Sequence, residues 1–419
     1  MDNSRVSVSQ RAVQLIVTSA ALPGQHELLR SACGGRRRTH TGSAANPRLR
    51  NPSRIVATDE RWTEIRRLTR SVVGAVAVAT AAWLATPGVS SASSANSAIP
   101  RYQHIVEIMM ENTSYATIIG NPLAPQINSL AGKYGLATNY FGVTHPSEPN
   151  YMANMAGSYF GVQDDNQFYC TPELANTDPN CAGTTVDHTV TAQNLADQLT
   201  AAGKTWKGYF QSLPPIPPTG LIMTGPNANG PYTFKWPSNA VALYASKHNP
   251  FLNFTGTQGA LANMVPDTQL ATDLATGKLP DFGLVVPNQC NDMHGTGTCE
   301  DTNALISADD TYVGNTVREI MGSKSWQQGR DAIVITWDED DFSDQGLPGT
   351  GCCGADPGGG HVVTIVITNK GNKYPITDGT AYNHYSLLRS YEAAFGLPCL
   401  ANACDTAAGV KPMTPLFHP

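Results

Sequence analysis

The chain is predicted to be an α/β protein, a single large domain whose mostly parallel sheet is flanked by helices. Three observations predict it. Short apolar runs rich in β-branched residues recur at His104–Met110, Phe282–Val286, 332–337 and 362–367. Stretches with helical spacing stand among them, at 190–202, 309–321 and 385–395. Three of the runs end on polar residues, namely Glu111-Asn112, Pro287-Asn288 and Asp338-Glu339. Largely apolar runs of this length suit strands covered on both faces, the usual condition of parallel sheet. In such sheets ligands collect at the carboxyl ends of strands, so these polar ends mark where chemistry is expected.

The length of 419 residues permits one large domain or two ordinary ones, because single cores stop growing at roughly 250–300 residues. Charged residues make up only 14% and the net charge is −6. No basic stripe is present, which argues against nucleic acid as a partner. Abundant Gly and Pro suit an extracellular protein with long ordered loops, and residues 212–238 read as one such loop or lid. Cys33 stands in the leader, while Cys170, Cys181, Cys290, Cys299, Cys352, Cys353, Cys399 and Cys404 form an even set in the body. An even set suggests disulfides, and no C-x-x-C repeat supports zinc instead. Cys170 with Cys181, Cys290 with Cys299 and Cys399 with Cys404 are close in sequence. Cys352 and Cys353 would then bridge each other or pair elsewhere.

Residues 66–95 have the order of a signal peptide. A basic cluster at Arg66-Arg67 precedes an apolar run from Val72 to Ala85, a Pro87-Gly88 break and small residues that allow cleavage after Ala92 or Ala95. The run is shorter than the roughly 20 residues a membrane span needs. Residues 1–65 are expected to be a disordered extension or the product of a start assigned too far upstream, with a true start near Val56; an uncleaved anchor is the alternative. Residues 99–419 form the expected catalytic domain, and the protein is expected to be secreted or held at the cell envelope.

Five blocks carry candidate chemistry. Glu111 and Asn112 end a strand with two hard oxygen donors suited to a divalent cation. Ser147 lies between Pro146 and Glu148-Pro149, a stiff loop or helix start, where a neighbouring cation would lower its hydroxyl pKa and let it attack phosphorus. Asp292 and His294 are two apart in a loop, a spacing that can bring carboxylate and imidazole to one metal or phosphate. Asp338, Glu339, Asp340 and Asp341 follow a buried strand, and four consecutive acids repel unless solvated or paired with a cation. His361 opens a strand after a glycine run that permits close backbone approach. His145, Asn150 and His384 are expected on the substrate side, although a cap or packing role serves His384 equally.

In this order, ENTSY, HPSEPNY, KHNPF (247–251), PNQCNDMH, TWDEDD, GGGH and NHYSLLRSYE resemble the bacterial phosphoesterase family that contains secreted acid phosphatases and phospholipases C, a family related to the alkaline phosphatase superfamily. The resemblance covers the chain after Ile99 and implies an alkaline-phosphatase-like fold. It implies that Glu111, Asn112, Asp338 and Glu339 hold a divalent metal ion, one ion or two, and that Ser147 is the nucleophile. Asp292, His294 and His361 would line the phosphate or leaving-group side. Two departures are present: Ala116 stands where many phospholipase members have Asp, and Glu339 completes an acid pair that some members build from two Asp. The implied activity is that of a secreted acid phosphatase hydrolysing phosphate monoesters of a small molecule. A phospholipase C or phosphoinositide phosphatase acting on lipid head groups, with transient membrane-surface contact, is the nearest rival. A calcium-stabilised extracellular binding protein is the rival of another class. The C-x-P-x-R segment expected of a sulfatase is missing from the sequence.

Overall fold

The structure is a computed structural model that describes residues 99–165, 188–213, 243–297, 299–343, 350–371 and 375–418. Its strands are β1 (His104–Met110), β2 (Gly135–Phe141), β3 (Trp206–Phe210), β4 (Met264–Pro266), β5 (Phe282–Val286), β6 (Asp331–Trp337), β7 (His361–Thr368), β8 (Ile376–Asp378) and β9 (Tyr382–Asn383). They form one nine-stranded sheet in the order β4-β3-β5-β1-β6-β7-β2-β8, with β9 paired to β2. Every pairing is parallel except those of β7, which runs antiparallel to both β6 and β2. The mostly parallel α/β sheet expected from the sequence is therefore present. The direction of β7 was not legible, because an apolar run has the same composition read either way.

The helices are α1 (Tyr115–Ile118), α2 (Pro125–Lys133), α3 (Ser147–Ala156), α4 (Leu195–Ala201), α5 (Gln269–Thr276), α6 (Thr302–Gly322), α7 (Lys324–Gln328), α8 (His384–Phe395) and α9 (Thr414–Phe417). α2 packs on α6, while α3, α4 and α8 pack on one another. Local signals set the ends. α4 starts at Leu195 rather than 190 because Asn194 and Asp197 close a reciprocal capping box and Val190 bridges to Phe254. α6 starts ahead of its apolar period because Asp301 accepts from the Ala304 amide. α8 is capped by Asn383, which accepts from the amides of Tyr385 and Ser386. α3 is buried along its whole length, so it shows no polar face from which a helical period could be read.

Register places the site. Met110 of β1 lies beside Trp337 of β6, and the Asp338 amide donates to the Met110 carbonyl at 3.0 Å. Glu111 and Asp338 therefore leave the sheet side by side. Ile105, Ile108, Met109, Ile333, Val334 and Ile335 are fully buried beneath them. Each such side chain contributes roughly 1.5–3 kcal/mol, which offsets the cost of burying acids at the strand ends. Disulfides join Cys290–Cys299, Cys352–Cys353 and Cys399–Cys404. The expected Cys170–Cys181 pair, the signal segment and all but the start of the 212–238 loop lie outside the described residues. Among the described residues, no helix is long and apolar enough to cross a membrane.

Candidate active site

Glu111, Asp338 and Glu339 stand at the carboxyl ends of β1 and β6 and are almost wholly buried. Burial pushes the Glu111 carboxyl up to about 8, against the pull of Lys247 and the Tyr151 hydroxyl. Burial, then Glu111 and Glu339, drive Asp338 well above the carboxylate range. Asn112 donates to Glu339 Oε1 at 2.6 Å, leaving its own Oδ1 buried with no hydrogen-bond partner.

α3 delivers Ser147 to this floor. The Ser147 hydroxyl is 1% exposed, donates to Glu111 Oε2 at 2.9 Å and lies 3.4 Å from Glu339 Oε1. One helical turn on, the Tyr151 hydroxyl donates to Glu111 Oε1 at 2.6 Å. Asn150 ties the approach to the helix: its Oδ1 accepts from the amides of Val143 and Thr144, and its Nδ2 donates to the Thr144 carbonyl. Asn150 Nδ2 also reaches Glu339 Oε2 at 3.3 Å. It thus holds the segment that carries His145 and Ser147. His145 contacts Glu339 at 2.7 Å and Asp340 at 3.7 Å, and its ring stacks on Phe342.

On the other side of Glu111 stand residues that the sequence showed only inside a motif. His248 is buried, with Nε2 3.2 Å from Glu111 Oε1 and Nδ1 3.6 Å from Asp292 Oδ2. Burial, then Lys247 and His294, hold its imidazole neutral by pulling the pKa well below the ordinary value. Lys247 donates to Asp165 at 2.7 Å and meets His294 Nε2 at 3.2 Å. Burial opposes its charge, yet Glu111, Asp165 and Asp338 outweigh burial and raise its pKa. Asp292 Oδ1 accepts from the His294 amide at 2.9 Å, a turn made at Met293 with φ of 83°. Ligand atoms of Glu111, His248 and His294 all lie within 4.8 Å of one another. The signal for His248 and Lys247 was two titratable residues ahead of Asn249-Pro250; nothing local says that they meet Glu111.

The remaining candidates are placed differently. His384 Nε2 lies 2.6 Å from the Asp338 carbonyl and Nδ1 3.0 Å from the Tyr140 hydroxyl. A carbonyl can only accept, so Nε2 carries the hydrogen and His384 braces the Asp338 backbone. His361 stacks between Tyr115 and Phe141 and its Nε2 is 3.1 Å from the Thr138 carbonyl. Those contacts tie it to α1 and β2. The glycine run before it packs against protein. At Gly360 (φ +83°) an added Cβ would fall 1.9 Å from the Asp340 carboxyl carbon, and at Gly142 it would fall 2.7 Å from the Asp338 carbonyl oxygen.

A serine hydroxyl bonded to a strand-end carboxylate, among further buried acids, puts a hydroxyl beside a proton acceptor. The family model described as Phosphoesterase family matches residues 121–398. The chain belongs to the phosphoesterase family. A phosphatidylinositol-3-phosphatase of Mycobacterium tuberculosis is 31% identical over 331 residues, covering 78% of this chain and 88% of the relative. A probable acid phosphatase of Kluyveromyces lactis is 26% identical over 328 residues, covering 73% and 63%. An acid phosphatase of Aspergillus fumigatus is 26% identical over 307 residues, covering 71% and 56%. The chain thus spans less than two thirds of the length of these two fungal relatives. Among solved structures, a protein of the alkaline phosphatase superfamily from Vibrio parahaemolyticus is similar with a TM-score of 0.45 at 12% identity, covering 73% of this chain and 69% of that one.

Family membership sets the reaction class, hydrolysis of phosphoric esters. The phosphoesterase site also has the chemistry of a cation site. Both Asp338 carboxylate oxygens are buried with no hydrogen-bond partner among the described residues, as is Asn112 Oδ1. Unpaired buried carboxylates are costly, and a divalent ion removes that cost. Among the described residues, the acid and imidazole group whose ligand atoms lie within 4.8 Å of one another is Glu111, His248 and His294; Asn112, Asp338 and Glu339 stand on the other side of Glu111.

Proposed function

We propose that the protein is an exported phosphatase that hydrolyses phosphate monoesters through Ser147, with a divalent cation held by Glu111, Asn112, Asp338 and Glu339. The observation that carries this reading is the Ser147 hydroxyl resting on Glu111 Oε2 at 2.9 Å in a dry cluster of acids. When bound, the cation would supply Lewis acidity, lowering the serine pKa and neutralising charge on the phosphoryl oxygens.

The chain's own groups divide the rest of the work. As Ser147 Oγ bonds to phosphorus, its proton leaves towards Glu111 Oε2 and the ester P–O bond breaks. Lys247, kept charged by Glu111, Asp165 and Asp338, faces the phosphoryl oxygens. His294 has its Nδ1 on the Gly295 carbonyl at 2.8 Å, so its Nε2 lone pair suits ligation better than proton donation. The neutral His248 turns its Nε2 to Glu111 at 3.2 Å and suits the same purpose. His145, 23% exposed at the rim, gives a proton to the departing alcohol, and water then releases phosphate from Ser147. Export rests on the order of residues 66–95 and agrees with the three disulfides among the described residues.

A second reading, action on a phosphoinositide head group, is favoured by the mycobacterial relative that matches over 88% of its length. It uses the same chemistry on a lipid-borne monoester. The deciding experiment is hydrolysis of an aryl phosphate by wild type and Ser147→Ala, before and after chelation. Wild-type turnover should disappear on chelation and return with added cation, and Ser147→Ala should lose at least about 10³-fold in kcat. Near-normal turnover by Ser147→Ala would sink the nucleophile assignment.

A further inference from the structure

A cavity of about 730 Å³ begins at His145 and runs away from the acid cluster between the end of α3, the start of α8 and the loop around Asp356. Its volume falls in the range of roughly 300–1,000 Å³ typical of small-molecule sites. Its position is informative. His145 belongs to both places, touching Glu339 and Asp340 on one side and lining the cavity on the other. An ester whose phosphoryl group lies on Ser147, two residues along the chain, has this cavity next to it on the His145 side.

The lining chemistry is uniform. Tyr159 and Tyr385 contribute phenols, and Gln163 and Asn402 contribute amides. Tyr385 is almost fully buried, so its ring is set in place before a ligand arrives. Among the described lining residues there is no Lys or Arg, and Asp356 is the single carboxylate. The cation of the site, Lys247, is held by Asp165 and His294 instead. Charge is therefore kept for the phosphoryl group and is withheld from whatever is attached to it. Hydroxyls find donors and acceptors here, and ring C–H groups find tyrosine faces. A second phosphate finds no cation and meets Asp356.

We propose that this cavity is the leaving-group subsite and that it takes an uncharged, hydroxyl-rich ring, a sugar or cyclitol, in preference to a group carrying a second phosphate. The inference rests on the reading of Ser147 as phosphoryl acceptor. The ring can come from a soluble monophosphate or from a lipid head group, since the hydroxyl chemistry is shared.

The test uses Tyr159→Ala and Asn402→Ala in the full chain, with melting temperature to confirm folding. Tyr159 is half-buried and Asn402 exposed, so both variants should fold. Free glucose and free myo-inositol serve as probes, because their binding needs no turnover. Both should bind wild type and lose about tenfold in affinity in either variant. The KM for a hexose monophosphate should rise about tenfold with kcat unchanged in either variant, while phenyl phosphate, whose ring makes no hydrogen bond to Asn402, should be unaffected by Asn402→Ala. Wild type should favour a hexose monophosphate over the bisphosphate, and Asp356→Lys should narrow that preference about fivefold. Turnover of soluble inositol monophosphate, or of vesicles carrying phosphatidylinositol 3-phosphate, supports the subsite if it is sensitive to Asn402→Ala, and the larger kcat/KM names the source. Phenyl phosphate turnover without polyol binding, or a bisphosphate preference, would overturn the subsite alone. Polyol binding without turnover of any monoester would overturn the phosphatase reading, and the leaving-group role with it.

Discussion

Glu107 shows what one buried acid does to this protein. It lies in the middle of β1 with no exposure, accepts from Asn154 at 2.7 Å, and its other oxygen has no hydrogen-bond partner. Burial raises its pKa from an ordinary 4.5 to about 8, against the hydrogen bond from Asn154. The sign follows from linkage. A carboxyl raised on folding favours the fold fully below its unfolded pKa, and that contribution is lost as pH rises through the folded pKa. Global stability should therefore fall between about pH 5 and pH 8 on account of Glu107. Glu107→Gln keeps an acceptor for Asn154 and removes the charge, so it should flatten the decline and stabilise the protein most at pH 8. Denaturation of both proteins at pH 5 and pH 8 checks this, and a stability difference independent of pH contradicts it. The four-residue step from Glu107 to Glu111 keeps both acids towards α3, in line with the two-residue alternation of strand side chains. Asn154 and Ser147 receive them there.

At the scale of elements, the site is where β1, β6, α3 and the loop entering β7 converge. The loop is set by backbone: the amides of Asp340 and Gly142 donate to the carbonyls of Gly359 and Gly360. Gly360→Ala would force a Cβ into Asp340 at a left-handed φ, displacing the residue that His145 faces. Stability should fall by about 1–3 kcal/mol and kcat by about tenfold, with the acids themselves unchanged. Chemical denaturation and aryl phosphate kinetics read the two effects, and a variant matching wild type in both would show that the close approach is dispensable. The strands with their polar ends were legible because β5 and β6 are apolar runs, and β1 one interrupted only by Glu107, each closed by polar residues. α3 was legible only as a stiff segment around Ser147, since Pro149 and total burial hide its helical period. The stripe Ser147, Asn150, Tyr151 and Asn154 nevertheless has helical spacing, and the structure turns it towards Glu107, Glu111 and Glu339.

For the molecule as a whole, the proposed cation site predicts that stability depends on a cation, because the acids it joins are buried. Binding to the folded state alone raises stability by mass action. A divalent ion at saturating concentration should raise the melting temperature by about 5 °C or more. Asp338→Asn should raise the melting temperature of the metal-free protein, because an uncompensated buried carboxylate is removed, and should abolish the cation-induced rise. Calorimetry of both proteins, with and without cation, checks this, and an equal rise in the two would remove Asp338 from the ligand set. Fold class was readable at this scale because the β-rich runs and helical stretches alternate along the chain. The meeting of Lys247, His248 and His294 with Glu111 was not, because it depends on bringing β1 together with loops more than a hundred residues away. That closure belongs to the order of strands in the sheet, and no local pattern encodes it.

The central claim is that Ser147 takes the phosphoryl group. Its most direct test is rapid acid quenching of the metal-loaded protein during turnover of an aryl phosphate, followed by mass spectrometry of the peptide spanning residues 135–156. Phosphate on Ser147, absent from Ser147→Ala, is the expected result. Sustained turnover with no phosphate on that peptide, and with Ser147→Ala still active, would contradict the account.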